Sequence, residues 1–262
     1  MSVQTGPSKK CVALIPARAG SKRFPDKNIY PFFGHPLIAY SIASALESGV
    51  FSKVVVSTDS ETYAKIARHY GAEAPFLRPT EIAGEHSLDI EWVEDALGRL
   101  KRQQEEFECF SLLRPTSPFR RAETIRRAAK QFFSESGIDS LRAVEKCRQH
   151  PGKMWIVNGR RMNPLLSQDP SRPPMHSTQV ASLPEIYVQN ASLEIAYTRV
   201  VFARHTISGN SIMPFFTEGF EGVDINEPRD LWYAEHLVAA GQAHLPEVHP
   251  APYGPEVSLK GS

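Results

Sequence analysis

A loop rich in cationic side chains follows the first apolar segment of this 262-residue chain. Residues 12–15 form a short apolar run that predicts a buried strand. The loop after this run carries four cations, which are Arg18, Lys22, Arg23 and Lys27. Gly20 permits a tight backbone path in which successive N–H groups form an anion nest, and phosphorylated ligands bind at the mouth of such strands. The loop therefore has the chemistry of a polyphosphate site.

The spacing of this loop differs from the common phosphate-binding motifs. It contains neither G-x-x-x-x-G-K-[ST] nor G-x-G-x-x-G, and its charge alone favours an ordinary solvated loop. The order of its residues argues for function, because Pro16-Ala-Arg-x-Gly-Ser-Lys22 is followed by Pro25-x-Lys27-Asn28. This order resembles the signature of the N-acylneuraminate (sialic acid) cytidylyltransferases and their nucleotidylyltransferase relatives.

The resemblance implies that this loop holds the triphosphate of CTP. Arg18, Lys22 and Lys27 would neutralise the charge that builds on the pyrophosphate leaving group, and they are the expected catalytic residues. A later segment, residues 76–89, resembles the family's Arg-Pro-x-x-Leu-Ala-x-Asp pattern and would place Arg78 against the nucleotide. The nucleotide-binding residues implied by the resemblance are Ala17, Ala19, Gly20, Ser21, Asn28 and Arg78.

Two departures from the family concern the acceptor. The segment 112–120 resembles Leu-Gln-Pro-Thr-Ser-Pro-Leu-Arg, but Arg114 stands in place of the glutamine, and Val188 stands where the family has an arginine. Because an arginine only donates, in a fork suited to carboxylate or phosphate, we expect anion recognition to be relocated. A further match is His150-Pro-Gly-Lys153. The acceptor-binding residues implied by the resemblance are Arg114, Thr116, Ser117, Lys153, Gln189 and Asn190.

A metal site is implied by residues 222–230, which resemble the family's Asp-Ile-Asp segment. Residues i and i+2 of a strand face the same side, so Asp224 and Asn226 would point together at a Mg²⁺ ion. Asn226 supplies an amide oxygen, with less charge, in place of the family's second carboxylate. Alternatively, Asn226 caps a helix that begins at Pro228. Asp59, which the family places near the nucleotide, has the same alternative of capping the next helix.

Composition excludes several classes of protein. The formal net charge of +1 argues against a nucleic-acid surface. No apolar run approaches the roughly 18 residues of a membrane span, and residues 1–10 lack a signal-peptide core. The cysteines Cys11, Cys109 and Cys147 are widely separated without metal-type spacing, and such sparse use favours a reducing compartment. We therefore expect a cytoplasmic protein without nucleic-acid or membrane partners.

Strands that alternate with helices must position these motifs. β-Branched segments such as residues 53–57 alternate with helical patterns such as residues 36–48. This alternation predicts an α/β fold with a doubly wound, mostly parallel, Rossmann-like nucleotide-binding sheet and a small dimerisation subdomain. The expected organisation is a flexible tail at 1–10, one nucleotidylyltransferase domain at 11–244 with an acceptor-binding and dimerisation insertion at about 145–204, and a Pro-rich tail at 245–262.

The resemblance implies one reaction. The chain would transfer CMP from CTP to a sialic-acid-like nonulosonic acid and release pyrophosphate, with Mg²⁺ as cofactor and a second copy of the chain as partner. Two alternatives stay open. Arg114 and Val188 support a nucleotidylyltransferase for a different phosphorylated or phosphonylated acceptor, and Asn226 supports a non-catalytic nucleotide-sugar-binding relative. The sequence identifies no general base.

Overall fold

The strands of the protein follow the apolar, β-branched segments of its sequence. The computed structural model describes residues 10–167, 169 and 171–254. The strands are β1 (Cys11–Pro16), β2 (Pro31–Phe32), β3 (His35–Pro36), β4 (Lys53–Ser57), β5 (Cys109–Leu112), β6 (Ser140–Lys146), β7 (Trp155–Asn158), β8 (Arg161–Pro164), β9 (Tyr187–Tyr197) and β10 (Ile212–Phe216). The main sheet has six strands in the order β10-β6-β9-β5-β1-β4, and β2–β3 and β7–β8 form two smaller sheets.

The strand β1 has a parallel neighbour on each side. It pairs with β4 in the register Val12 to Lys53 and with β5 in the register Cys11 to Cys109. Because parallel strands end at the same edge of a sheet, the loops that follow β1, β4 and β5 meet there. The next strand, β9, pairs antiparallel with β5. The central part of the sheet is therefore parallel, and its carboxyl edge collects the motifs of the sequence.

Helices cover both faces of this sheet. They are α1 (Leu37–Ser48), α2 (Glu61–His69), α3 (Asp89–Arg102), α4 (Ala122–Ser134), α5 (Thr198–Arg204) and α6 (Pro228–Ala239). Cys11, Ala13 and Ile15 of β1 pack in a buried cluster with α1, α2 and α4, whereas Val12 and Leu14 pack in another with α3 and α5. Alternate residues of a strand face opposite sides, so both faces are buried under helices. The predicted α/β fold class is confirmed.

Short sequence signals set the ends of the helices. Gly49 ends α1 with a φ of 65°, a left-handed conformation that glycine adopts without steric cost. The Ser60 hydroxyl accepts a hydrogen bond from a first-turn N–H of α2 at 3.4 Å. At the start of α6 the cap is Glu227, which forms a capping box with Asp230. The capping role considered for Asn226 is therefore wrong.

A third buried cluster anchors segments that leave the sheet. It contains Phe24 from the loop after β1, Phe32 from β2, Phe119 from the loop after β5, and Ile225 just before α6. Burial of each such side chain contributes about 2 kcal/mol of hydrophobic stabilisation. Because these segments share one packed cluster, the loops around the carboxyl edge of the sheet keep a fixed spacing.

The start of β6 is held by a buried carboxylate, Asp139. It accepts hydrogen bonds from the backbone N–H of Asn210 at 2.9 Å and of Ser211 at 3.2 Å, and it pairs with Arg199 and Arg204 at 2.7 and 2.9 Å. The backbone donor of Asn210 contributes most to lowering the pKa of Asp139 to about 2. Asp139 therefore fixes a turn and α5, and it belongs to the structural framework.

The described residues divide into two compact units. Unit 1 contains the chain up to Ala143 and from Asn190 onward, and unit 2 spans Val144–Gln189. Sequence analysis expected an insertion at 145–204, whereas the structure assigns residues 190–204, with α5, to unit 1. The expected tails, residues 1–10 and 245–262, lie outside the described residues at positions 1–9 and 255–262.

Unit 2 contains the antiparallel pair β7–β8 and a set of short turns. The His150 ring accepts a hydrogen bond from Gly152 N at 3.0 Å and contacts the Pro184 carbonyl at 3.1 Å. Lys153 donates to the carbonyl of His176 at 3.1 Å, and the ring of His176 lies 4.7 Å from that of Trp155.

The described helices of the whole chain include none that is long and apolar enough to cross a membrane.

Candidate active site

A cavity of about 280 Å³ opens where the loops after β1 and β5 meet. Most of the expected site residues line it, and these are Arg18, Ser21, Lys22, Lys27, Asn28, Arg78, Arg114, Thr116, Asp224 and Asn226. The lining also includes Pro16, Arg23, Glu85, Asp89, Trp92 and Pro115, to which sequence analysis gave no site role. The structure therefore brings together motifs that are separated by up to two hundred positions in the chain.

Backbone contacts fix the first loop of the cavity. The N–H of Ala17 donates to the Ser57 carbonyl at 3.0 Å, and that of Ala19 donates to the Asp59 carboxylate at 2.9 Å. These two donors are therefore already used within the protein. The Asn28 amide donates to the Arg18 carbonyl at 3.1 Å and closes the loop from its other end. Asp59 thus holds the cationic loop, while Ser60 caps the helix.

Gly20 is not required here for a tight turn. Its φ does not lie in the left-handed range, and a Cβ atom at this position would meet nothing within 4 Å. The backbone path at Gly20 is nevertheless tight, as expected, because the Ser21 N–H donates across it to the Ala19 carbonyl at 2.8 Å. The open space leaves the loop backbone accessible to a ligand that approaches closely.

The cations of the first loop differ in how firmly they are held. Lys22 is 76% exposed and pairs with Glu85 at 2.7 Å, and this ammonium group lowers the pKa of Glu85. Arg18 makes only long contacts, to the carbonyls of Gly20 at 3.4 Å and Ala83 at 3.5 Å. Lys27 is more enclosed, and burial lowers its pKa. Arg18 and Lys22 are therefore available to an anionic ligand at little cost.

Arg78 builds a wall of the cavity. Its guanidinium donates to the Ser57 hydroxyl at 3.0 Å and to the Ser57 carbonyl at 2.9 Å, and it lies 4.7 Å from the centre of the Trp92 ring. Burial lowers the pKa of Arg78 to about 10, so the side chain stays charged at neutral pH. The stacking of a cation on an indole gives this wall a flat, positively charged surface.

Arg114, expected to bind an acceptor anion, is already paired. Its terminal nitrogens lie 2.6 and 3.5 Å from the two oxygens of Asp89, and a second carboxylate, Glu194, lies at 3.4 Å. Burial alone would raise the pKa of Asp89, but the Arg114 guanidinium holds it below its usual value. The Trp92 indole also donates to Asp89 at 2.8 Å. The fork of Arg114 is therefore filled by protein carboxylates.

Asp224, Asn226 and Lys27 form a polar chain on another side of the cavity. The Asn226 Oδ1 atom accepts a hydrogen bond from Lys27 Nζ at 2.7 Å, and its Nδ2 donates to Asp224 Oδ2. The other oxygen, Asp224 Oδ1, is buried and finds no hydrogen-bond partner among the described residues. A buried carboxylate oxygen without a donor is suited to a cation.

A divalent cation would have one protein carboxylate in this site. The described residues contain no group of three or more His, Cys, Asp or Glu side chains that could hold a metal. Mg²⁺ is commonly bound by one or two carboxylates together with substrate phosphates. Asp224 therefore fits such an ion through Oδ1, whereas the Asn226 oxygen is occupied by Lys27.

The remaining expected acceptor residues are more widely spread. The Thr116 carbonyl accepts a hydrogen bond from Ile225 N at 2.8 Å, which links this loop to the Asp224 segment. Ser117 is buried and does not line the cavity. Asn190 donates to the Thr217 hydroxyl at 2.9 Å. Lys153 and Gln189 lie in unit 2.

Sequence analysis missed Asp89, Trp92 and Glu194, which complete the wall around Arg114. Asp89 is the first residue of α3, where an acidic side chain is ordinarily explained by the helix dipole. Glu194 lies in a buried strand, and a buried carboxylate needs a cationic partner. An acidic residue within an apolar strand pattern is therefore the sequence signal that could have indicated a buried ion pair at Glu194.

The pair Arg114–Asp89 is enclosed enough to be measured by a double-mutant cycle. We expect Arg114→Met, Asp89→Asn and the double variant to give a coupling of about 1–3 kcal/mol in urea unfolding, because either single change leaves a charge unpaired. The matched control is the exposed pair Arg126–Glu123, 2.6 Å apart, for which alanine variants should couple by less than about 0.5 kcal/mol. Equal couplings in the two cycles would contradict the assignment.

Comparison with known proteins identifies the family of the chain. The family model described as cytidylyltransferase matches residues 12–150. The CMP-N,N'-diacetyllegionaminic acid synthase of Legionella pneumophila is 34% identical over 239 residues, which are 90% of this chain and 99% of that protein. The pseudaminic acid cytidylyltransferase of Campylobacter jejuni is 39% identical over 136 residues, which are 52% of this chain and 59% of that protein.

Two further similarities involve a partial match and a match in fold. The N-acylneuraminate cytidylyltransferase of Escherichia coli O18:K1:H7 is 44% identical over 123 residues, which are 47% of this chain and 28% of that protein. The solved structure of a CMP:2-keto-3-deoxy-manno-octonic acid synthetase with CTP has a TM-score of 0.64 at 15% identity, covering 88% of this chain and 99% of that one. The family model matches more than half of this chain, and the chain therefore belongs to the cytidylyltransferase family.

Proposed function

We propose that this enzyme transfers CMP from CTP to a sialic-acid-like nonulosonic acid and releases pyrophosphate. The observation that carries the proposal is the polarity of the cavity. Its first loop presents Arg18, Lys22 and Arg23, whereas the segment before α6 presents Asp224 with an oxygen that has no hydrogen-bond partner among the described residues. The relatives described above are named for diacetyllegionaminic, pseudaminic and N-acylneuraminic acids, and this supports an acceptor of that class.

The cationic loop suits the leaving group of this reaction. A hydroxyl of the acceptor attacks the α-phosphorus and loses its proton to water. The bond between this phosphorus and the bridging oxygen breaks, and pyrophosphate leaves with both bonding electrons. We assign Arg18 and Lys22 to the phosphates that carry this developing charge, with Lys27 nearer the reacting phosphorus. Because Glu85 is exposed, phosphate oxygens can replace it on Lys22 with little loss of interaction.

A magnesium ion is part of the proposal. Asp224 would hold it through Oδ1, and when bound the ion would supply positive charge to the phosphate oxygens. Asn226 keeps Asp224 in place by donating to Oδ2, and Lys27 in turn fixes the Asn226 amide. The three side chains thus form one unit, in which each residue orients the next.

The acceptor is proposed to lie against the loop that contains Thr116. Arg114 fixes Asp89 and Trp92 in this wall, and its charge is balanced by two carboxylates. We therefore assign Arg114 to shaping the cavity rather than to capturing an anion of the acceptor. Lys153, Gln189 and Asn190 stay proposals for acceptor binding on the basis of the sequence motifs.

The function is tested by pyrophosphate release from CTP, UTP, ATP and GTP in the presence of a panel of acceptors. The panel contains N-acetylneuraminic, legionaminic and pseudaminic acids together with several sugar 1-phosphates. We expect release with CTP and at least one 2-keto sugar acid. Activity with a sugar 1-phosphate and with no sugar acid would overturn the proposal. Tight CTP binding without turnover on any acceptor would favour a non-catalytic binding protein instead.

Asp224→Asn tests the metal role. We expect Mg²⁺-supported turnover to fall about 100-fold, because the neutral amide no longer neutralises a divalent ion. Mn²⁺ titration in the presence of CTP should show weaker binding of the metal to the variant. The control is Asp95→Asn, since Asp95 pairs with Arg99 at 2.9 Å on α3 and does not line the cavity. An unimpaired rate for Asp224→Asn would remove this residue from the metal site.

We also propose that the enzyme is a homodimer associated through unit 2. Both strands of the β7–β8 pair expose apolar side chains, with Val157 67% and Met162 54% exposed. Contiguous apolar surface of this kind is typical of interaction sites. Sedimentation should give twice the mass of the chain for the wild type and the single mass for Val157→Asp/Met162→Asp. A monomeric wild type at micromolar concentration would refute the dimer.

A further inference from the structure

Arg120 is the largest side chain that is fully buried in the described structure. It lies at the end of the loop that follows β5 and just before α4, which begins at Ala122. Burial is the only influence on its pKa, which it lowers to about 9, so the guanidinium is charged at neutral pH. None of the carboxylates in the described part of the chain pairs with it. Burial of an unpaired charge is costly and needs a reason.

The guanidinium connects three separate elements through their polar groups. It donates to the carbonyl of Ser192 in β9 and to the hydroxyl of Ser41 in α1, the latter at 2.6 Å. Both of its terminal nitrogens also reach the Arg114 carbonyl, at 3.3 and 3.4 Å. The Ser41 hydroxyl itself donates to the same carbonyl at 3.2 Å. The carbonyl of Arg114 is therefore held from two directions.

The other end of the loop is tied to the same helix. Ser44, one turn after Ser41 in α1, donates from its hydroxyl to the Arg120 carbonyl at 2.7 Å. The two serines are buried on an otherwise apolar face of α1. Residues 114–120 are therefore fixed at both ends, although the segment contains no helix or strand.

This fixed loop reaches the cavity in two ways. Thr116 lines the cavity, and its carbonyl accepts the N–H of Ile225 at 2.8 Å. Phe119 and Ile225 also pack in the same buried cluster. Ile225 directly follows Asp224 in the chain. A shift of the Arg114 carbonyl would therefore move Thr116, then Ile225, and with it Asp224, whose Oδ1 has no hydrogen-bond partner among the described residues.

Stability alone does not account for a charge at this place. Replacement of buried ionic groups by apolar side chains of similar size is often neutral or stabilising. The Nε atom of Arg120 and the hydroxyls of Ser117 and Ser192 are also buried without a hydrogen-bond partner among the residues described. A guanidinium can bind several carbonyl and hydroxyl oxygens at once in a fixed plane, which an apolar side chain cannot do.

We propose that Arg120 is a positioning residue, which sets the acceptor side and the Asp224 side of the active site through the Arg114 carbonyl. The proposal rests on the proposed function for the meaning of those two sides. This role of Arg120 divides the residues of the active site into two groups. Residues 114–120 and 224–226 depend on Arg120, and Lys27 is linked to them through Asn226. The start of the cationic loop, residues 17–19, is held by Ser57 and Asp59 instead.

The test uses Arg120→Lys, which keeps the charge but loses the planar fork. We expect kcat/KM for the sugar acid to fall about 10- to 100-fold, because small displacements of positioning groups cost that much. The Kd of CTP, measured by calorimetry in EDTA, should stay within about threefold, because Ser57 and Asp59 still hold the backbone on either side of Arg18. A variant that loses sugar-acid kcat/KM and CTP affinity by the same factor would overturn the proposal.

Two variants control for loss of stability. Asp139→Asn replaces a buried carboxylate that does not line the cavity, and the two variants are compared at temperatures equally far below their measured thermal midpoints. Asp139→Asn should leave unchanged the ratio of two quantities, the kcat/KM for the sugar acid and the affinity for CTP. Ser41→Ala removes one donor to the Arg114 carbonyl and should give a smaller loss of kcat/KM in the same direction. If Arg120→Lys does not fold, an unchanged ratio in Ser41→Ala overturns the proposal.

Amide hydrogen exchange separates this proposal from the proposed function. In Arg120→Lys, or in Ser41→Ala if the former does not fold, residues 112–118 and 222–226 should exchange faster while residues 17–19 do not. Asp139→Asn should show no such selectivity. Wild-type protein that is inactive with every acceptor would refute the proposed function and leave this readout valid. Uniform or absent changes in exchange would refute the role of Arg120 whether or not the enzyme is active.

Discussion

The parallel pairing of β1 on both sides is the constraint on which the rest of the structure depends. Residues 11–15 each expose at most 1% of their surface to solvent, and their side chains pack alternately into two separate clusters. Such a strand has no room for polar side chains along its length. Polar chemistry is therefore restricted to the edge where β1, β4 and β5 end, and the cationic loop, Arg78 and Arg114 all lie there. The third cluster then spaces these loops relative to one another.

Two kinds of cation surround the cavity, exposed ones and ones that are paired with carboxylates, and the two kinds have different roles. Arg114 is paired with Asp89 at 2.6 Å, and loss of such a charged hydrogen bond costs about 1.5–3 kcal/mol, so a substrate anion competes poorly for Arg114. Lys22 is exposed, and its pairing with Glu85 is screened by salt. A polyphosphate therefore gains its contacts from the exposed cationic side chains of the first loop, while the paired cations keep the walls in place. Charge at the cavity is thus distributed between binding and architecture.

Sequence patterns predicted what depends on neighbouring residues. The apolar run of β1 and the helix that starts at Pro228 were predicted by local rules, and the left-handed Gly49 and the Ser60 cap obey the same rules. The pairing of Arg114 does not, because its partner Asp89 stands 25 positions away. The same limit applies to residues 190–204, where β9 and α5 join unit 1 rather than the insertion. Residue type was readable, but the distant partner that decides its role was not.

The amide of Asn226 shows how a departure from a family pattern can keep the geometry of a site. A lysine ammonium only donates, so the Asn226 oxygen must face Lys27, and its NH₂ group must then face Asp224. This orientation satisfies one oxygen of Asp224 and leaves the other unpartnered. A carboxylate at position 226 would pair with Lys27 but would repel Asp224. Asparagine therefore removes one negative charge, keeps the connection to Lys27, and decides which oxygen of Asp224 lacks a hydrogen-bond partner among the described residues.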